Sequence, residues 1–358
     1  MRNRFLDVAW VLMFALLNGC GGIGPHTVSH DRFDYTDAIA TSWKQQMLIN
    51  IVKLRYGDTP VFLDVASVIN QYSLEAAMDL RLTWVEPHIS VGDSQSTGAS
   101  ARYTDKPTIT YTPLSGERFA RSLMKPIPPT AVLSLIQAGY PVDVVLRTCV
   151  HSINGIRNRY GGAARARGAD PEFYPLLQRM RRVQDAGGLG LRVQKDGEVE
   201  GVVLTFRQKV DPALQPDITA VRDALGLSQD ASEFRVAYGA VAKDDKEIAI
   251  LSRSMLEILI DLASFIQVPP VHVEQQRVNP TMPEEMMGET PVPPLIRILS
   301  AKGKPSDNFI AIPYRDHWYW IDDRDLKSKN LFTFLMFVFS LTETEGKEGA
   351  PIVTIPAG

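Results

Sequence analysis

Leu189-Gly-Leu-Arg-Val-Gln-Lys-Asp-Gly-Glu-Val-Glu-Gly-Val-Val-Leu-Thr-Phe-Arg-Gln208 reads as strand, turn, strand. Leu189, Leu191 and Val193 recur every second position, Val202-Val203-Leu204 is a short apolar run, and Lys195-Asp196-Gly197 carries turn chemistry between Leu189–Gln194 and Gly201–Gln208. Strands joined so closely must run antiparallel, since a parallel pair needs a long crossover. A helix at Glu172–Gln184, stopped by Gly187-Gly188, precedes this hairpin. A short helix at Thr219–Leu225 and a strand at Glu233–Val241 follow it. Strands and helices do not alternate singly, so the expected class is α+β, with mixed or antiparallel sheets and several amphipathic helices.

The same reading extends to both ends. Tyr35–Arg55 has helical spacing (Ile39, Trp43, Met47, Ile51, Leu54) and stops at Gly57-Asp58-Thr59-Pro60. Phe62–Val65 reads as a strand, while Ser73–Leu80 fits helix and strand equally. Leu80–Val91 and Tyr103–Thr112 alternate, which predicts a hairpin whose loop is the polar stretch 92–100. Helices are expected at Gly116–Met124, Thr130–Gln137 and Val142–Arg159. Ser252–Ile266, capped by Ser252 and stopped at Pro269-Pro270, has the clearest helical face. Val278–Pro294 reads as an exposed loop, Phe309–Arg315 and His317–Asp322 as a strand pair, and Leu326–Leu341 as a buried helix. The expected regions are 34–186 and 187–358, or a single domain over 34–358.

The chain has 358 residues, 45% of them apolar and 22% charged, which excludes a disordered, collagen-like or polytopic membrane protein. With 38 basic and 41 acidic residues the net charge is −3, so no nucleic acid is expected as a partner. Two cysteines exclude a disulfide framework and a thiolate-rich zinc site. The six histidines are scattered, and the glycine clusters lack the strand-turn-helix setting of a phosphate loop. No cofactor and no metal are expected.

The N-terminus carries an address. Arg2 and Arg4 precede the apolar run Val8–Leu17, which is too short to span a bilayer, and Leu17-Asn18-Gly19-Cys20 follows. This order resembles the signal and lipobox of bacterial lipoproteins. The resemblance implies that residues 1–20 are removed and that Cys20 becomes the lipid attachment point. Gly21 in place of Asp implies the outer membrane, with the protein facing the periplasm. Residues 21–33 are then expected as a flexible tether. Gln46–Tyr56 and Tyr319–Lys329 also resemble stretches of bacterial envelope lipoproteins, a likeness that implies no activity. Cys149 is left alone and reads as a buried small hydrophobe.

Candidate chemistry is sparse. Ser122-Leu-Met-Lys125 and Ser306-Asp307-Asn308 resemble elements of penicillin-binding proteins and serine β-lactamases, but Pro126 puts the first at a helix end and no Lys-Thr-Gly follows the second. Arg147–Arg182 is the main charge asymmetry: eight arginines against Asp170 and Glu172, or +6. Arg157, Arg159, Arg165, Arg167, Arg179, Arg181 and Arg182 are therefore candidates for binding an anion or partner. In the C-terminal hairpin, Trp318 and Trp320 are candidates for an outward aromatic contact surface. The combined expectation is a non-enzymatic binding or assembly module, lipid-anchored through Cys20. Its partner would be an envelope protein or an anionic glycan or lipid. The alternative is an envelope hydrolase acting on glycan, peptide or lipid, with Asp316, Asp322 and Asp323 as acid-base candidates.

Overall fold

The computed structural model describes residues 23–69, 72–82, 95–105, 108–114, 116–162, 166–196, 199–207, 211–343 and 353–356. The leader with Cys20, and Arg165 in the arginine stretch, lie outside the described residues. The chain divides into Met1–Gln46 and Met47–Gly358.

Helix α1 covers Ile23–Arg55. It begins upstream of the expected start at Tyr35, so residues 23–33, expected as a tether, are helical. Within the second unit it buries Met47, Leu48, Ile51 and Val52, at the spacing of one helical face. Lys53 and Arg55 complement the negative end of its dipole, and Gly57, at φ 74°, turns the chain away.

Four strands follow: β1 (Phe62–Ile69), β2 (Tyr72–Leu82), β3 (Gln95–Asp105) and β4 (Thr108–Leu114). β1 pairs with β4 and β2 with β3, all antiparallel. The undecided stretch Ser73–Leu80 is thus strand. The hairpin pairing is displaced from the expected one: residues 95–100, read as loop for their small polar side chains, belong to β3, and 83–91 lie outside the described residues.

Helices α2 (Gly116–Met124), α3 (Pro129–Gln137) and α4 (Val142–Cys149) come next. The helix expected over Val142–Arg159 ends at Cys149. Strand β5 (Val150–Ile153) then turns through Asn154 and Gly155, at φ 45° and 83°, into β6 (Ile156–Arg157). An Asn-Gly pair with both φ positive makes the two-residue turn whose twist suits a hairpin. After α5 (Phe173–Asp185), β7 (Leu189–Asp196) and β8 (Val199–Phe206) form the expected hairpin, in register from Leu189↔Phe206 to Asp196↔Val199.

The chain continues through α6 (Gln215–Leu225), β9 (Glu233–Tyr238) and β10 (Glu247–Ser252). Strands β6-β5-β10-β9-β8-β7 make one mixed sheet, antiparallel except for the pair β9–β10. Strands from both sides of residue 186 share this sheet, so the expected boundary there does not divide the fold. Leu133, Ile136, Val142, Leu146 and Met180 from α3, α4 and α5 line an apolar seam with Leu204, Phe206, Ile248 and Ile250 of the sheet. Burying each such side chain contributes about 1.5–3 kcal/mol.

Helix α7 spans Met255–Ala263. Its cap is Ser254 and not the expected Ser252, which ends β10. The Glu257 amide donates to Ser254 Oγ at 3.3 Å, and the Ser254 amide donates to Glu257 Oε2 at 2.8 Å. This reciprocal box is the Ser-x-x-Glu pattern written in the sequence. After α8 (Pro270–Glu274), the hairpin β11 (Glu285–Met287) and β12 (Thr290–Val292) lies inside the segment expected as loop. Strands β13 (Leu299–Ala301), β14 (Ile310–Tyr314) and β15 (His317–Ile321) form a sheet with β15 central. The last elements are α9 (Leu326–Glu343) and β16 (Val353–Pro356), which pairs with β4. The fold is α+β. No described helix is long and apolar enough to cross a membrane.

Candidate functional site

Most of the described candidate arginines meet an aspartate. Arg159 is 2% exposed, its Nη2 lying 3.0 Å from Asp261 Oδ1 and its guanidinium stacking over Phe265. Arg157 and Arg167 flank Asp170 at 3.3 and 3.6 Å. Burial acts to raise the Asp170 carboxyl, but hydrogen bonds from the Arg157 backbone and side chain outweigh it and hold it below its ordinary value. Arg182 grips Asp217 at 2.6 Å, holding that carboxyl low, and Arg179 approaches the same group at 4.0 Å. Arg181 bridges Asp143 and Asp185 at 3.4 and 2.8 Å. The sequence excess of +6 is largely neutralised by aspartates that are near in space and mostly distant in the chain.

Arg147 is the exception. It makes no ion pair among the described residues. Its Nη2 donates to the Pro293 carbonyl at 2.6 Å, its guanidinium lies 5.5 Å from the centre of the Tyr174 ring, and its Nε is buried without a partner. Burial draws its pKa below the usual arginine value. The side chain borders a groove of about 610 Å³ whose apolar walls include Tyr140, Pro141, Val144, Leu295, Leu331 and Phe334. On the opposite wall Lys327, exposed at the start of α9, also lacks an ion pair among the described residues. Asp143 lines the groove too, but Arg181 engages it. The groove joins α4, the proline-rich segment 293–295 and α9, so only the tertiary fold assembles it. Two unneutralised cations above apolar walls suit an anionic head on an apolar body.

The C-terminal hairpin places its aromatics as expected. His317, Tyr319 and Ile321 are buried, whereas Trp318 and Trp320 are half-buried on the other face of β15, beside Pro313 and Ala311. Lys304 Nζ stands 5.4 Å from the Trp318 ring centre.

The hydrolase candidates do not converge. Asp322 accepts the Arg324 amide at 2.8 Å, Asp323 pairs with Lys329 at 2.7 Å, and Asp316 occupies the β14–β15 turn. Ser122 and Lys125 lie at the end of α2, while Asp307 pairs with Arg324 and Asn308 donates to the Pro305 carbonyl, both in a separate loop. A second pocket, of about 420 Å³, gathers His151, Ser252 and Glu257. Burial depresses the His151 pKa, yet Ser252 Oγ is buried with no hydrogen-bond partner, so neither His151 nor Glu257 activates it. Among the described residues, no group of three or more His, Cys, Asp or Glu is placed to hold a metal. Cys149 is buried and its thiol is pushed up to about 12, which keeps it protonated and unreactive.

One polar cluster escaped the sequence reading. Tyr56 Oη lies 2.6 Å from Tyr319 Oη and 2.7 Å from His272 Nδ1, and Tyr314 donates to Asp58, which Arg315 also approaches at 3.2 Å. These residues come from the turn after α1, from α8, from β14 and β15 and from the turn between them, so no local motif announces them. No family model, curated protein or solved structure matches this chain.

Proposed function

We propose that the protein is a lipid-anchored cell-envelope binding module. Cys20 tethers it to the outer membrane, facing the periplasm, and the groove at Arg147 and Lys327 takes an anionic group carried on an apolar body, such as a lipid phosphate. The observation that carries this reading is the groove itself, about 610 Å³, bordered by two cations that make no ion pair among the described residues. Apolar walls supply affinity in proportion to the area they cover, and the two cations orient the charged end.

Two experiments test the two halves. Metabolic labelling with radioactive palmitate should mark the unaltered protein and be lost in Cys20→Ala; an unlabelled protein, or label retained without Cys20, refutes the anchor. Lys327 is exposed and makes no ion pair among the described residues, so Lys327→Glu leaves the fold intact while reversing charge at the groove. Calorimetric titration with short-chain phosphatidylglycerol should then show binding weakened roughly tenfold, the worth of one charge-assisted hydrogen bond. Equal binding of phosphatidylglycerol and phosphatidylcholine by the unaltered protein refutes recognition of the anionic head.

A further inference from the structure

The pairs β1–β4 and β2–β3 share one register. Partners step without a shift from Ser67↔Thr110 to Ile69↔Thr108, and resume in step from Tyr72↔Asp105 to Leu82↔Gln95. The second pair thus keeps the register of the first, and β2 and β3 pair with no other described strand. A two-stranded ribbon is marginal in water, and among the described residues both outer edges of this one lack a partner strand.

The residue pattern along the ribbon is that of an interface with two different solvents. Successive strand positions alternate between faces. One face of β2 carries Tyr72, Leu74, Ala76, Met78, Leu80 and Leu82. By register these stand opposite Tyr103, Ala101, Ala99 and Thr97 in β3, with Asp105 and Gln95 at the two ends. Glu75, Asp79, Arg81 and Arg102 all fall on the other face, with Glu75 and Arg102 directly paired. Eight apolar or small positions in succession on one face, and all four inner charges on the other, give the dyad period of a membrane barrel strand.

The length agrees independently. β2 and β3 are each 11 residues long. A transmembrane strand needs about 9–11 residues at a tilt near 45°. Eleven residues at ~3.3 Å reach about 36 Å, which at that tilt covers the ~25 Å apolar band of an outer-membrane barrel.

We infer that the β2–β3 ribbon inserts into a lipid bilayer, apolar face to lipid, and pairs edge to edge with the same ribbon of further copies of this chain to close a barrel. Closure is required because each unpaired backbone group in hydrocarbon costs several kcal/mol, and a lone ribbon has two such edges. Identical ribbons supply identical edges, so copies satisfy one another. Each copy contributes two strands, and because the smallest such barrels have about 8, at least about four copies are needed. The charged face of the ribbon then lines a polar lumen. This inference rests on the ribbon alone and stands whether or not Cys20 is lipidated or the groove binds lipid.

The test is a cysteine scan of the full chain in vesicles of phosphatidylethanolamine and phosphatidylglycerol. Single substitutions from Leu74→Cys to Arg81→Cys are labelled with a fluorophore and quenched by nitroxide lipids. The scan is made in a Cys20→Ser background, and Cys149, buried and protonated, does not take the label. Quenching at 74, 76, 78 and 80 should exceed that at 75, 77, 79 and 81 by at least about twofold, following the strand period. Chemical cross-linking in the same vesicles should give a ladder reaching at least the tetramer. Quenching without alternation, or none, overturns the insertion. Alternating burial that persists without vesicles and ignores the quenching lipid shows a protein-covered face and overturns it as well. Alternation with only monomer on cross-linking overturns the barrel.

Discussion

Asp261 holds two buried guanidiniums together. Its carboxylate accepts the Gly161 amide at 2.8 Å and meets Arg159 at 3.0 Å and Arg253 at 3.4 Å, with all three side chains no more than 2% exposed. Two buried guanidiniums share one carboxylate, so removing it leaves both without their counter-charge. Asp261→Asn should therefore cost about 3–5 kcal/mol, readable as a fall in the denaturant midpoint. A loss below about 1 kcal/mol would show that solvent reaches the cluster. Gly161 belongs to the same cluster because a Cβ there would sit 2.3 Å from Ser264 Oγ. Arg159 shows what the charge count of the basic stretch leaves open. Spacing along the chain counts charges but does not reveal which of them the fold buries against an aspartate roughly a hundred residues away.

At the scale of elements, local signals were readable wherever turn chemistry was strong. The β7–β8 hairpin lies where it is expected, with Lys195 and Asp196 taken from the expected turn into β7, and the aromatic strand pair follows its alternation. Asn154-Gly155 and the Ser254–Glu257 box were equally legible, and were passed over because the apolar runs around them suggested longer helices. Strand β10 was missed for another reason: Ile248, Ala249 and Ile250 are all buried, and so short a run has no period by which to declare itself. The β14–β15 turn stores strain that sequence did not announce. Arg315 and Asp316 adopt φ of 44° and 67°, a region that costs residues with a Cβ about 1 kcal/mol or more. Asp316→Gly should thus raise stability by up to about 1 kcal/mol, measured by urea unfolding. Arg315, which approaches Asp58 at 3.2 Å, is better left in place. A destabilised Asp316→Gly protein would mean that the carboxylate makes a compensating interaction.

Across the whole molecule, pH dependence follows from where titratable groups are buried. Burial is the largest cause lowering both His151 and His272 below their ordinary 6.5. Neutral in the fold, they take up protons more readily when unfolded, so their contribution is present above about 6.5 and is lost as pH falls toward the lower folded values. Asp58, Asp170 and Asp217 are held below 3.8, so their contribution is lost only as pH falls below that. The melting temperature should decline in two stages on acidification, and His151→Gln with His272→Gln should flatten the first. An unchanged first stage would assign it to other groups. At the alkaline end Tyr314, pushed up to about 12 by burial and by its bond to Asp58, favours the fold below 10 and ceases to do so as pH climbs through 12. The α+β class, most helices and the hairpin at 189–208 were determined by sequence alone, because hydrophobic period and turn residues act over a few neighbours. Charge partners, the groove between α4 and α9, and the membership of both halves in one sheet were decided only by tertiary structure. Those features depend on residues far apart in the chain, whose meeting no local period encodes.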